Sequence, residues 1–136
     1  MSAAAPRFGQ KLATVATEQL AKFGRDTPGI ALAVLSSGDG FEVASYRAER
    51  AVSAKMAAMG SSLQALSEAI TREAGLKGAR RLIIESDDGC VLALGVADSK
   101  PALSLVVVAD KSASLGHLLW SAKICCTSVS RAITAT

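Results

Sequence analysis

The amino-acid sequence predicts an α+β fold, a small antiparallel sheet with helices laid over it. Three features predict it. Two apolar hairpins are marked by turn residues at Gly38-Asp39-Gly40 and Asp87-Asp88-Gly89. A long amphipathic segment, residues 51–74, separates them. A third apolar run, Leu103–Ala109, follows the second hairpin, and helical patterns open and close the chain.

From Pro6 to about Phe23, the residues Phe8, Leu12, Val15, Ala16, Leu20 and Phe23 recur at helical spacing and form a stripe for a core. Gly24 is the expected end, and Asp26-Thr27-Pro28-Gly29 is a loop. Ile30–Ser37 is apolar on both faces and reads as a strand. Gly38-Asp39-Gly40 tolerates the backbone a tight hairpin needs, and Phe41–Tyr46 alternates as an outer strand does.

The middle helix carries the cleanest periodicity. Val52, Met56, Met59, Leu63, Leu66 and Ile70 step by four and three along one narrow seam. The opposite face holds Ala54, Ala58, Ser61 and Ala65, where an ordinary surface helix carries charges. Small residues there are expected to form a surface for close approach by a protein partner, although helix propensity alone also accounts for alanine. Gly75 and Gly78 bracket the exit. Arg80–Ser86 and Cys90–Val96 form the second hairpin, and Ala97-Asp98-Ser99-Lys100-Pro101 turns the chain into Leu103–Ala109, expected as a central strand.

In the last helix, capped by Ser112 or Ser114, the inward stripe is Leu115, Leu118, Leu119, Ala122, Cys126, Val129 and Ile133. Cys125 is expected at its margin. Trp120 and Ile124 project from the other side, and Trp120 is expected to pack against the first helix. No long linker or repeat intervenes, so residues 7–134 read as one domain after a flexible N-terminus, residues 1–6.

Half of the 136 residues are apolar, which excludes disorder, and the scarce aromatics predict an aliphatic core. A net charge of +3, with its densest cluster at Lys77, Arg80 and Arg81, reads as a solvated surface. Without a basic stripe or stacking aromatics, nucleic-acid binding is not expected. No apolar run approaches the roughly 18–20 residues that span a bilayer, and the N-terminus lacks a signal-peptide core. Three cysteines, two of them adjacent, make no disulfide framework, and a reducing cytoplasm fits best.

Catalytic chemistry has no candidate residues. His117 has no partner at metal-ligand spacing, so neither a metal nor a cofactor is expected. Cys90 lies on the apolar phase of its strand, and Cys126 on the core stripe of the last helix, where thiols behave as small hydrophobes. The glycine turn at 38–40 joins strand to strand, with no helix N-terminus to receive a phosphate. Asp39, Asp87 and Asp88 read as turn residues.

The order of these segments resembles the roadblock / dynein light-chain domain. Ile30–Ser37, Gly38-Asp39-Gly40 and Phe41–Ser45 are similar to its first hairpin. The Met56–Ile70 helix, Leu82-Ile83-Ile84-Glu85 and the Asp88-Gly89 turn follow in family order. Val107-Val108-Ala109-Asp110-Lys111 with Leu115-Gly116 is the most specific match. The resemblance is to the short bacterial type and covers about residues 8–133. It implies a five-stranded antiparallel sheet in the order 2-1-5-4-3, with the middle helix on one face and the terminal helices on the other. It also implies homodimers that pair their third strands, here Arg81, Leu82, Ile83, Ile84 and Glu85, which places the middle helices side by side. The family's usual role is regulating or scaffolding small Ras-like GTPases, or adapting motor complexes, with no catalytic residue of its own. The expected function is therefore a non-catalytic homodimeric regulator or scaffold of such a GTPase. Two alternatives are a dimeric adaptor without GTPase involvement and a ligand-sensing α/β domain, the latter disfavoured by aliphatic strands that offer no polar-lined cavity.

Overall fold

The structure is a computed structural model describing residues 9–99 and 102–134. Its elements are α1 (Gln10–Asp26), β1 (Ile30–Ser37), β2 (Glu42–Tyr46), α2 (Arg50–Glu73), β3 (Arg81–Ser86), β4 (Gly89–Val96), β5 (Leu103–Asp110) and α3 (Leu115–Thr134). Pro6, Phe8, Lys100 and Pro101 lie outside the described residues, as does the whole segment read as a flexible N-terminus.

The strands form one sheet in the order β2-β1-β5-β4-β3, and every neighbouring pair is antiparallel. The central strand is β5, whose residues Leu103–Val107 are all buried, because helices cover both of its faces. Alternation along the strands sorts two layers. Ala33, Leu35, Leu92, Leu94, Leu105 and Val107 join Ala16, Leu20 and Phe23 of α1 and Leu118, Ala122 and Val129 of α3 in the main core. The intervening side chains of β1 and β5, among them Val34, Ser36, Ser104 and Val106, turn to the opposite face and meet α2.

Turn chemistry places the hairpins where the sequence predicts them. In the first, the Ser37 N–H donates to Phe41 O at 2.9 Å and the Ser37 hydroxyl bonds the Asp39 carboxylate. In the second, the Asp88 N–H donates to the Ser86 hydroxyl. Ser114 occupies the N-cap of α3, its hydroxyl accepting from the His117 N–H at 3.5 Å.

Four local expectations need correction. Gly24 does not end α1, which continues to Asp26. A Cβ at position 24 would run into the Tyr46 ring, so the glycine is there for close passage over β2. On α3, Cys125 is buried rather than marginal, whereas Leu115 is exposed. Trp120 is 66% exposed and is not packed away against α1.

Candidate functional site

The largest departure from expectation is the orientation of α2. Its buried residues are Ser53, Ala57 and Gly60, none of them from the apolar seam. Val52, Met59, Leu66 and Ile70 are exposed, Ile70 by 61%, while Met56 and Leu63 are half-buried. The physical cause lies in the sheet beneath. The strand face under α2 offers small side chains, with Ser36 and Ser104 buried and hydroxyl to hydroxyl at 3.3 Å. A helix meets such a surface closely only through small residues of its own. A Cβ on Gly60 would sit 2.5 Å from Val106 Cγ2, which shows how near the layers approach. At the helix start, the Ser53 hydroxyl bonds the Glu42 carboxylate on β2, fixing the same face inward.

The stripe expected to receive a partner is consequently a flank and not the outermost face. Ser61 is half-buried and donates to Gly38 O at 3.3 Å, and Gly40 comes up beside the Ala58 backbone, so the β1–β2 turn runs along this stripe. Ala54, Ala58 and Ala65 remain exposed on it. The apolar seam is the opposite flank, with Val52, Met59, Leu66 and Ile70 exposed on it. A helix of a lone globular chain normally turns such a seam to its own core.

The helix that carries the seam reaches a free sheet edge, in contact with β3 as well as β4. β3 pairs with β4 on one side and terminates the sheet on the other. Arg81, Ile84 and Glu85 are exposed there, and Leu82 and Ile83 are half-buried. Ile83 faces Leu92 and packs on the α1/α3 core, so Leu82 and Ile84 point to the α2 side. Apolar edge residues and apolar helix seam thus share one face of the molecule. Exposed apolar side chains grouped on one face mark interaction sites, and an unpaired strand of this kind associates unless it is covered.

The thiols and the histidine do not converge. His117 is exposed and lines a groove between α1 and α3. Cys90, half-buried, lines a separate hollow beside the β3–β4 turn. Burial pushes the Cys125 thiol up to about 11, and burial together with its neighbour pushes Cys126 up to about 12. Both are thus neutral and unreactive at physiological pH. Among the described residues, no three metal-binding side chains cluster, and no helix is long and apolar enough to cross a membrane.

Comparison with known proteins agrees with this fold. The model of the Roadblock/LC7 domain matches residues 16–109. No curated protein matches the chain. Among solved structures, a Roadblock/LC7 domain from Streptomyces avermitilis superposes with a TM-score of 0.80 at 21% identity, over 88% of this chain and 98% of that one. The gliding protein MglB of Thermus thermophilus gives 0.79 at 19% identity, over 92% of this chain and 93% of that one. MglB of Myxococcus xanthus gives 0.80 at 14% identity, over 90% of each. The layered sheet, its strand order and the matched span from α1 through β5 together establish that this chain belongs to the Roadblock/LC7 domain family.

Proposed function

We propose that the protein is a non-catalytic, cytoplasmic homodimer that regulates or scaffolds a small Ras-like GTPase. The observation that carries the reading is the exposed apolar seam of α2, a helix that reaches the free β3 edge. One chain leaves both without a covering layer. A second copy added edge to edge at β3 satisfies the strand and closes the contact, since a two-fold uses the same edge of both copies and leaves no free β3. The two α2 helices then lie on one face of a continuous sheet, and the parts of the seam away from the two-fold form an apolar platform for a partner.

The GTPase is the partner that family membership favours, and the similar folds include MglB, one structure of which has a tetrameric arrangement. In such regulators the GTPase supplies its own catalytic residues, which suits a chain with its buried thiols held neutral. The partner surface proposed here is the seam around Val52, Met56 and Met59 and not the alanine flank.

The test is affinity capture from the native host with GTP or GDP present. A recovered small GTPase is then purified and titrated against the wild type and Met59→Arg. Nucleotide-dependent binding by the wild type, lost in Met59→Arg, is expected. Absence of any Ras-like GTPase with either nucleotide would remove this reading in favour of an adaptor.

A further inference from the structure

β3 and its flanks carry charge in two opposed blocks. Arg80 and Arg81 stand at the start, Glu85, Asp87 and Asp88 at the end, with Leu82, Ile83 and Ile84 between them. Pairing with β4 sets Arg81, Ile83 and Glu85 opposite Leu94, Leu92 and Cys90, on the α1/α3 side of the sheet. At the basic end, the ladder stops at Arg81 and Leu94 while β4 continues to Val96. This leaves a notch of about 830 Å³, lined by Arg80, Arg81, Lys123 and Arg131 as well as by Glu68 and Asp98. None of these four cations has an ion-pair partner among the described residues.

Resting on the dimer proposed above, we infer that its register is set by this charge arrangement, with Ile83 on the two-fold axis and Arg81 of each copy opposite Glu85 of the partner subunit. Residues directly opposite in an antiparallel pair point to the same face. A two-fold normal to the sheet therefore has to place a residue, and not a gap between residues, on the axis. With Leu82 on the axis, Arg81 falls opposite Ile83 and Arg80 opposite Ile84. With Ile84 there, Ile83 falls opposite Glu85, and Arg81 and Arg80 meet Asp87 and Asp88 only in the turn beyond the strand's end. Both registers set charge against an apolar side chain. With Ile83 on the axis, Arg81 meets Glu85 on the α1/α3 side and Leu82 meets Ile84 on the α2 side, each twice by symmetry. The same register brings the acidic Asp87-Asp88 turn of each copy to the border of the other's basic notch, where the surplus of cations favours it. The occupant this edge selects is thus another copy of this chain.

Arg81 and Glu85 are both exposed in the single chain, so exchanging their charges leaves the fold intact. Four residues apart on one strand, they are separated by about 13 Å and cannot pair within a copy. Arg81→Glu and Glu85→Arg are purified separately, and association is followed by sedimentation and native mass spectrometry. Each variant alone is expected to self-associate roughly tenfold more weakly, since like charges then stand opposite each other. Mixed together, the two are expected to form heterodimers beyond the statistical proportion, and the double exchange in one chain restores self-association. Variants that associate like the wild type, or that mix statistically, would overturn this register while leaving the dimer in place. A wild type that stays monomeric would overturn the dimer itself.

Discussion

Gly60 of α2 lies so near Val106 of β5 that a Cβ on the glycine would be 2.5 Å from Val106 Cγ2. Val106 is 1% exposed and has nowhere to retreat. This contact sets the distance between helix and sheet and decides which face of α2 turns inward. In an open helix, Gly→Ala gains about 1 kcal/mol. Here the overpacking cost of about 1–3 kcal/mol opposes it. Gly60→Ala is expected to lower unfolding free energy in denaturant titration, and a further Val106→Ala to recover part of the loss. Gly116→Ala, where a Cβ meets nothing within 4 Å, is the stabilising control.

That same contact explains what was legible in the sequence. The hairpins, the central β5 and the terminal helices were readable, because alternation along a strand and turn residues between strands are local signals. The orientation of α2 was not. Its apolar seam is the strongest periodic signal in the chain, and amphipathic reasoning assigns such a seam to the core. The contrary signal sat in other elements: Ser36 on β1 and Ser104 on β5 interrupt apolar strands on the face that receives α2. Small residues there demand small residues on the helix. The edge position of β3 came from the family resemblance, since pairing order is a long-range property that the strand's own residues do not encode.

Thr27 is 2% exposed, and its hydroxyl has no hydrogen-bond partner among the described residues. A buried hydroxyl in that state carries a desolvation cost with no compensation. Thr27→Val keeps the shape and removes the polar atom. It is expected to raise stability by about 1 kcal/mol in chemical denaturation; a loss of similar size would show that the hydroxyl finds a partner.

The buried thiols predict a pH dependence. Their ordinary pKa is 9.0, and burial raises it to about 11 for Cys125 and about 12 for Cys126. Above about pH 9 the unfolded chain releases these protons while the folded chain retains them. Their contribution to stability is therefore complete below that pH and is lost as pH rises through the folded values. Unfolding midpoints should fall more steeply from about pH 9 to 11 in the wild type than in Cys125→Ala/Cys126→Ala. At neutral pH a thiol reagent should modify Cys90 well before either of the others.

Trp120, two-thirds exposed on α3, contributes little to the fold despite its size. Trp120→Ala is expected to change stability by no more than about 0.5 kcal/mol. Leu118→Ala removes fewer atoms, but from a fully buried site, and should cost about 2–5 kcal/mol. Equal losses in the two variants would mean that Trp120 is covered in solution.

The exposed seam and the alanine flank of α2 make opposite predictions for association. Met59 and Leu66 are more than half exposed, so arginine at either position leaves the packing of a single chain unchanged. Met59→Arg and Leu66→Arg should unfold within about 0.5 kcal/mol of the wild type in dilute solution, yet lose partner binding or self-association. Ala54→Arg and Ala65→Arg, on the flank, should retain both. Leu66 lies in the half of the helix that reaches β4, where a Cβ on Gly95 would meet the Gln64 side chain, so its variant is expected to weaken the dimer first. Met59, nearer the helix start, should lose the partner first. Sedimentation and partner titration on all four variants separate the faces. Retention of both activities in the seam variants, with loss in the flank variants, would return the binding surface to the alanines.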